Sequence, residues 1–134
     1  MDTSKLVGHL AAWNYFQSID TAENKKFVDD FKAKHGGYPS FYAAQAYDAI
    51  MLIASAVKAV GGDMSDKDAV RAALKAADFN SVRGKFKFGT NNMPVQDFVL
   101  REVIADADGN WTTKVASVVY TDHVDSYAAD CKLK

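Results

Sequence analysis

Residues 40–60 read SFYAAQAYDAIMLIASAVKAV, and this stretch decides the fold. Its strongly polar positions after residue 41 are Gln45, Asp48, Ser55 and Lys58. At about 100° per residue these four side chains fall on one side of a helix, and Ala, Ile, Leu, Met and Val fill the other. An apolar face this wide predicts a helix that neighbouring elements must cover.

The two ends of this helix carry clear signals. Ser40 is a good N-cap, and the Gly-Gly pair at 61–62 suits the left-handed geometry that ends a helix. Phe41 and Tyr42 fall in the first turn, where free backbone N–H groups and the helix dipole favour an anion or a polar ligand. From spacing alone, two ordinary core rings are the favoured interpretation, and a ligand-facing position is the alternative.

Length and composition restrict the possible functions. The chain has 134 residues, about one domain, and 49% of them are hydrophobic, which favours a folded core. The net charge is −1 with no basic patch, so nucleic acid is not an expected partner. No apolar run is long enough to span a bilayer, and the first ten residues lack the pattern of a signal peptide. The single Cys131 is a free thiol or pairs with a cysteine elsewhere.

The chain before this helix predicts a strand and another helix. Lys5–Ala12 is a short apolar run, which we interpret as a buried strand. The aromatic segment Trp13–Phe16 follows it and suits a pocket wall or the core. Asp20–Gly37 predicts a helix with a capping box between Asp20 and Glu23.

The chain after this helix predicts a third helix and a β-hairpin. Ser65 is the expected N-cap of a helix over Asp66–Ala77, and the period then changes from helical to two. Asp97–Ile104 and Trp111–Tyr120 are β-rich runs, and the turn residues at 106–110 between them predict a hairpin. Residues 121–134 are expected to form a polar tail with one helical turn.

We find no catalytic motif in the sequence. Asp122, His123 and Asp125 could hold a metal, but a solvated tail is the favoured interpretation. The glycine pairs follow helices, which excludes a phosphate-binding loop, and no nucleophile motif is present. The sequence therefore predicts a binding protein that is not an enzyme, with no cofactor and no metal site.

Three segments taken in order carry a family resemblance. They are NKKFVDDFKAKHGGYPSFYAAQAYDAIMLIASAVKAVGG, DAVRAALKAADFNSVRGKFKFGTNN and DFVLREVIADADGNW. Together they resemble the C-terminal part of the type I periplasmic binding proteins, the leucine/isoleucine/valine-binding class of ABC importer components. RGKFKFGTNNMPVQDFVLREV and TDHVDSYAADC are most similar to members that take up aromatic carboxylates.

The resemblance implies an α/β fold that is an incomplete part of a two-lobe structure, with a strand, three helices and a C-terminal β-hairpin. By position, residues 1–38 resemble the end of the second lobe, residues 39–90 the segment that returns to the first lobe, and residues 91–134 the crossing strands, hairpin and tail. The family binds its ligand in the cleft between the lobes, and the rest of both lobes is not present in this sequence.

The resemblance also implies a ligand-binding site. Tyr42 matches a family position that touches the ligand, and Trp13–Phe16 would lie near the cleft edge. We group Phe41, Gln45 and Tyr15 with them as expected ligand-binding residues. The expected ligand is an aromatic carboxylate or a branched-chain amino acid, and the residues that hold its carboxylate fall outside this sequence. The chain alone is therefore expected to bind weakly or not at all.

The implied partners are an ABC permease in a periplasmic setting and either the remainder of the two-lobe protein or a swapped copy of the chain. The alternative is a stand-alone α+β interaction module that self-associates through an exposed strand or the long helix. That module would have no role in small-molecule transport.

Overall fold

Three helices and an open antiparallel sheet make up the protein. The computed structural model describes residues 4–109 and 111–132. The helices are α1 (Ala22–His35), α2 (Phe41–Ala59) and α3 (Lys67–Ala76). The strands are β1 (Leu10–Trp13), β2 (Lys87–Phe88), β3 (Pro94–Ala105) and β4 (Trp111–His123), and short 3-10 turns lie at Ser4–Leu6 and Ala128–Asp130.

Strand β3 is the centre of the sheet, because the other three strands all pair with it. β1 pairs antiparallel to it from Leu10 opposite Glu102 to Trp13 opposite Val99. β2 pairs with its first two residues. β4 pairs along its other side, with register shifts that accommodate the twist of this long hairpin. The predicted hairpin is confirmed, with both strands longer than expected; residue 110 of its turn lies outside the described residues.

The prediction of a buried strand over Lys5–Ala12 is wrong in two respects. Gly8, with a φ of +86°, separates a 3-10 turn from the strand, so β1 begins at Leu10 and extends to Trp13. Its side chains are largely exposed, and Leu10 is 59% exposed. The reason is that β1 lies beside β3, where no other described element covers it.

The helix ends differ from the predictions by one or two residues. Thr21, not Asp20, caps α1 by accepting a hydrogen bond from the Asn24 N–H, and Asp20 instead forms an ion pair with Lys25. Asp66, not Ser65, caps α3. Ser40 caps α2 as predicted. In each case an acceptor side chain satisfies N–H groups that the first helical turn leaves free.

The polar tail predicted over residues 121–134 is also partly wrong. Strand β4 continues to His123, and the only regular turn after it in the described chain is the 3-10 turn. The ring of His123 packs against Phe98 and Tyr120, with centroid distances of 5.5 and 5.1 Å. These ring contacts extend the hairpin beyond the point where its apolar pattern stops.

Helix α2 is buried along a different stripe from the one that the sequence predicts. The buried side of α2 carries Ala44, Asp48 and Ala56, whereas Ile50 and Ile53 are 65% and 49% exposed. Small side chains on the buried stripe let α2 approach its neighbours closely. The wide apolar face that the sequence predicts to be covered therefore lies on the surface of the described chain.

The carboxylate of Asp48 is the polar centre of the buried side of α2. It is 2% exposed and accepts hydrogen bonds from the Ser81 hydroxyl (2.6 Å) and the Val82 N–H (3.0 Å). Arg83 Nε donates to it at 2.8 Å and Arg83 Nη1 donates to Gln96 Oε1 at 3.1 Å. This network joins α2 to the turn before β2 and, through Arg83, to β3.

Exposed apolar side chains extend beyond α2 onto the sheet. Val118 and Tyr120 of β4 are 58% and 57% exposed. The hydrophobic core lies instead between α1, the start of α2 and the loop after β1. None of the described helices combines the length and apolar character that crossing a membrane requires.

The first prediction concerns the Asp48 network. Asp48→Ala should lower the free energy of unfolding by about 3–5 kcal/mol, because it leaves the guanidinium of Arg83 buried without its carboxylate. Lys26→Ala is the matched control: it removes an exposed ion pair with Asp30 in α1 and should cost no more than about 0.5 kcal/mol. Urea unfolding of both variants measures the difference, and equal losses would contradict this role for Asp48.

Candidate functional site

Three aromatic side chains meet where β1 ends and α2 begins. Phe41 packs edge-to-face on Trp13, with ring centroids 5.2 Å apart, and against Tyr42 at 3.9 Å. We call Trp13, Phe41 and Tyr42 the ring cluster. Trp13 is 44% and Tyr42 70% exposed, so two of the three rings present apolar surface to solvent.

The start of α2 sets the position of two of these rings. Ser40 has extended backbone angles and its hydroxyl accepts from the Ala43 N–H at 3.3 Å, which begins the helix immediately before Phe41. No acidic residue lies in the first turn. The positive end of the helix dipole is therefore not neutralised within its own turn, and it favours an anion beside Tyr42.

Gln45 is a free polar group beside the ring cluster. It follows Phe41 by four residues and Tyr42 by three, so it lies on the same helix face. Its side chain is exposed and makes no hydrogen bond within the described chain. An amide in this position can donate to or accept from a ligand that lies on the rings.

Tyr15, the fifth residue predicted for the site, is only 1% exposed. It belongs to the core cluster with Phe27, Val28, Ala44 and Val82. Burial raises the pKa of its phenol, and the charge of Asp48 raises it further. Its hydroxyl has no hydrogen-bond partner within the described residues. Contact between Tyr15 and a ligand stays a prediction.

A separate cavity of about 300 Å³ lies on the other side of the loop after β1. Its lining combines apolar side chains of the sheet with polar ones that include Asn14, Arg83 and Asp97. Asn14 and Phe16 belong to the segment Trp13–Phe16 that suits a pocket wall or the core, whereas none of the five residues grouped as ligand-binding lines this cavity. Asn14 Oδ1 is buried there without a partner within the described residues. Sequence patterns do not indicate the rest of this cavity, because four separate segments contribute to it.

The metal-binding arrangement considered for residues 122–125 does not form. The backbone N–H of Asp122 donates to Asp97, and Asp125 accepts from Asn91 at 2.6 Å. The imidazole of His123 packs against rings, as described above. Within residues 4–109 and 111–132 no three His, Cys, Asp or Glu side chains come close enough together to hold a metal ion.

Comparison with known proteins identifies the family. A profile of the periplasmic binding protein family matches residues 3–110. The chain belongs to the periplasmic binding protein family. A relative within it, the Leu/Ile/Val-binding protein homolog 6 of Brucella abortus (strain 2308), is 33% identical over 113 residues, which are 81% of this chain and 28% of the relative.

Solved structures of periplasmic binding proteins match the fold as well. One is a solute-binding protein of an ABC transporter from R. palustris in complex with benzoate, with a TM-score of 0.86 and 35% identity over 97% of this chain. Another, from Rhodopseudomonas palustris BisB5 in complex with 3,4-dihydroxybenzoic acid, has a TM-score of 0.80 and 29% identity over 92% of this chain. The names of these proteins describe binding proteins and not enzymes.

The matches also fix how much of this fold the chain represents. It covers 34% of the first R. palustris chain and 33% of the second, so it spans about a third of the length of its relatives. The expected fold class is confirmed: a mixed α/β structure of three helices and an open sheet that corresponds to part of a type I periplasmic binding protein.

The second prediction concerns Tyr15. Tyr15→Phe should change the free energy of unfolding at neutral pH by less than about 1 kcal/mol, because the lost hydroxyl has no partner. At high pH the variant should be the more stable. Because the pKa of Tyr15 is raised in the folded state, the unfolded chain loses the phenolic proton first as the pH rises. The free energy of unfolding of the wild type is therefore unaffected by this group below about pH 10 and decreases as the pH rises above it.

Urea unfolding at about pH 8 and about pH 11 measures this difference. The other titrating groups are common to both proteins, so the comparison isolates Tyr15. An identical decline in both proteins would contradict the assignment of a raised pKa to this phenol.

Proposed function

We propose that this chain forms part of the solute-binding component of an ABC import system, which binds a small carboxylate in a cleft between two lobes. The ligand is an aromatic acid or a branched-chain amino acid, the setting is the periplasm, and the partner is an ABC permease. The observation that carries the proposal is the exposed ring cluster at the N-terminus of α2. The ligands bound to the R. palustris neighbours and the name of the Brucella relative support the choice of ligands.

The ring cluster suits an aromatic acid. Tyr42 and Trp13 offer apolar faces on which a benzoate ring can stack, a contact that contributes about 0.5–1.5 kcal/mol beyond the buried area. The N-terminal end of α2 attracts the negative charge, and Gln45 supplies a polar group that fixes orientation. In this proposal Tyr15 supports the site from beneath, since it lies in the core cluster against which Phe41 packs.

The exposed apolar surface supports a cleft whose other wall belongs to a further part of the protein. Ile50 and Ile53 on α2 and Val118 on β4 would be covered by the remainder of the two lobes. We propose that residues 1–38 end the second lobe, residues 39–90 return to the first, and residues 91–134 cross between them. Closure of such a cleft around a ligand changes the shape that a permease recognises.

The third prediction tests the site in a chimera. This chain would replace the matching third of the R. palustris protein that binds benzoate, and titration calorimetry would measure benzoate affinity. Tyr42→Ala should weaken binding about tenfold, or ~1.4 kcal/mol, because the stacking ring is lost. Lys58→Ala, at the far end of α2, is the matched control and should leave affinity unchanged.

Two outcomes would count against the proposal. A chimera that is folded by far-UV circular dichroism and does not bind benzoate, 4-hydroxybenzoate or leucine would argue against the transport role. Unchanged benzoate affinity in Tyr42→Ala would place the ligand elsewhere, and Asn14→Ala in the separate 300 Å³ cavity would then be the next variant to test.

A swapped copy of the chain is the second candidate for covering the exposed apolar surface of α2 and β4. The family match does not favour the stand-alone module that self-associates, but a second copy would cover the exposed apolar side chains of α2 and β4. Exposed patches of this kind mark association surfaces.

The fourth prediction separates these occupants. If a second copy covers the surface, sedimentation equilibrium of the chain should give a dimer, and Ile50→Lys with Val118→Lys should return it to a monomer. Exchange of Lys58 for Glu is the control for charge alone. A monomer at every concentration would remove the swapped copy as a partner and leave the remainder of the two-lobe protein as the occupant.

A further inference from the structure

The ring cluster is assembled from two separate elements. Trp13 ends β1, and Phe41 and Tyr42 begin α2. The 27 residues between Trp13 and Phe41 include α1 and two loops, so the chain itself does not fix the distance between the two halves. Their relative position depends on what holds β1 and α2 to a common element.

That common element is β3. On one side, Trp13 is paired with Val99 in the β1–β3 ladder. On the other, α2 reaches β3 through Asp48, because Arg83 donates to the Asp48 carboxylate at 2.8 Å and to Gln96 Oε1 of β3 at 3.1 Å. The planar guanidinium makes both bonds in a fixed geometry, which a flexible ammonium does not reproduce.

Asp48 lies less than two helical turns after Tyr42, so a shift of the helix at Asp48 moves Phe41 and Tyr42 by a similar amount relative to Trp13. The carboxylate is also fixed from a third direction by the Val82 N–H and the Ser81 hydroxyl. Asp48 is 2% exposed, so water does not compete for these bonds. These hydrogen bonds are directional, so they fix the position of α2, whereas apolar packing would allow the helix to slide.

We propose that Asp48 is a positioning residue of the ligand site: through Arg83 and Gln96 it sets the place of α2, and with it Phe41 and Tyr42, relative to Trp13. The proposal rests on the proposed function for its effect on binding, because the ring cluster is the proposed ligand surface. Its effect on the geometry of the cluster is independent of any ligand.

The experiment uses Trp111→Phe as the background, so that Trp13 is the one tryptophan left. Nuclear Overhauser contacts between the Trp13 indole and the Phe41 ring, together with the near-UV circular dichroism of Trp13, report the ring cluster without ligand. Gln96→Ala is the main variant, since it removes the link to β3 and keeps the buried pair of Asp48 and Arg83. Asp48→Asn and Arg83→Lys are the second and third variants.

We expect each of the three variants, if it folds, to weaken the Trp13–Phe41 contact and to reduce the near-UV circular dichroism of Trp13. Far-UV circular dichroism should stay unchanged. In the chimera, Gln96→Ala and Arg83→Lys should lower benzoate affinity about two- to thirtyfold, the range for residues that act on a site without touching the ligand. Lys114→Ala, which breaks an exposed pair with Glu102 on the same hairpin, is the matched control and should change neither signal.

The outcomes separate the two proposals. An unchanged Trp13–Phe41 contact in folded Gln96→Ala and Arg83→Lys overturns the positioning role, even if both variants melt at lower temperature. A weakened contact with unchanged benzoate affinity supports the positioning role and overturns the ring cluster as the ligand surface. A weakened contact with reduced affinity supports both.

Discussion

The buried ion pair of Asp48 and Arg83 joins α2 to the turn before β2 and to β3, and the rest of the structure depends on this connection. Both side chains lie inside, and the carboxylate satisfies donors from Ser81, Val82 and Arg83 at once. Removing two charges from water is costly, and such a pair is favourable only where its remaining hydrogen-bonding groups are also satisfied. Here they are, because the turn at 81–84 wraps around the carboxylate and orients backbone, hydroxyl and guanidinium donors toward it.

This pair explains which stripe of α2 is buried. Once Asp48 is fixed inward, Ala44 and Ala56 follow on the same stripe, and their small side chains allow close packing. Ile50 and Ile53 then face outward whatever their hydrophobicity. The polar anchor thus determines which face of the helix is buried, and the first turn of the helix carries Phe41 to Trp13 as a consequence.

Local signals in the sequence predicted most of the elements and little of their arrangement. Ser40 as a cap, the three helices and the hairpin follow from short-range spacing. The predicted burial of α2 is wrong because Asp48 on its polar side is buried, and nothing near Asp48 in the sequence indicates a partner 35 residues later. For the site, local position predicts that Trp13 and Tyr42 lie at the ends of their elements, and they do, whereas their contact with a ligand stays a prediction. The burial of Tyr15 and the cavity beside Asn14 depend on contacts between distant segments, which periodicity does not reveal.

The combination of a polar interior contact and an apolar exterior distinguishes one wall of a cleft from a self-sufficient domain. A domain that folds alone gains the most stability by burying residues such as Ile50, Ile53 and Val118. Burying alanines and an aspartate along a helix of 19 residues removes much less apolar surface from water. Exposure of Ile50 and Ile53 is no longer unfavourable if the outer face of α2 packs into a second hydrophobic interior. Residues that the relatives have and this third of the fold does not would form that interior. In the proposed function the Asp48 network is the rigid attachment of that wall to the sheet, and the ring cluster at its edge is the proposed contact surface for a small acid.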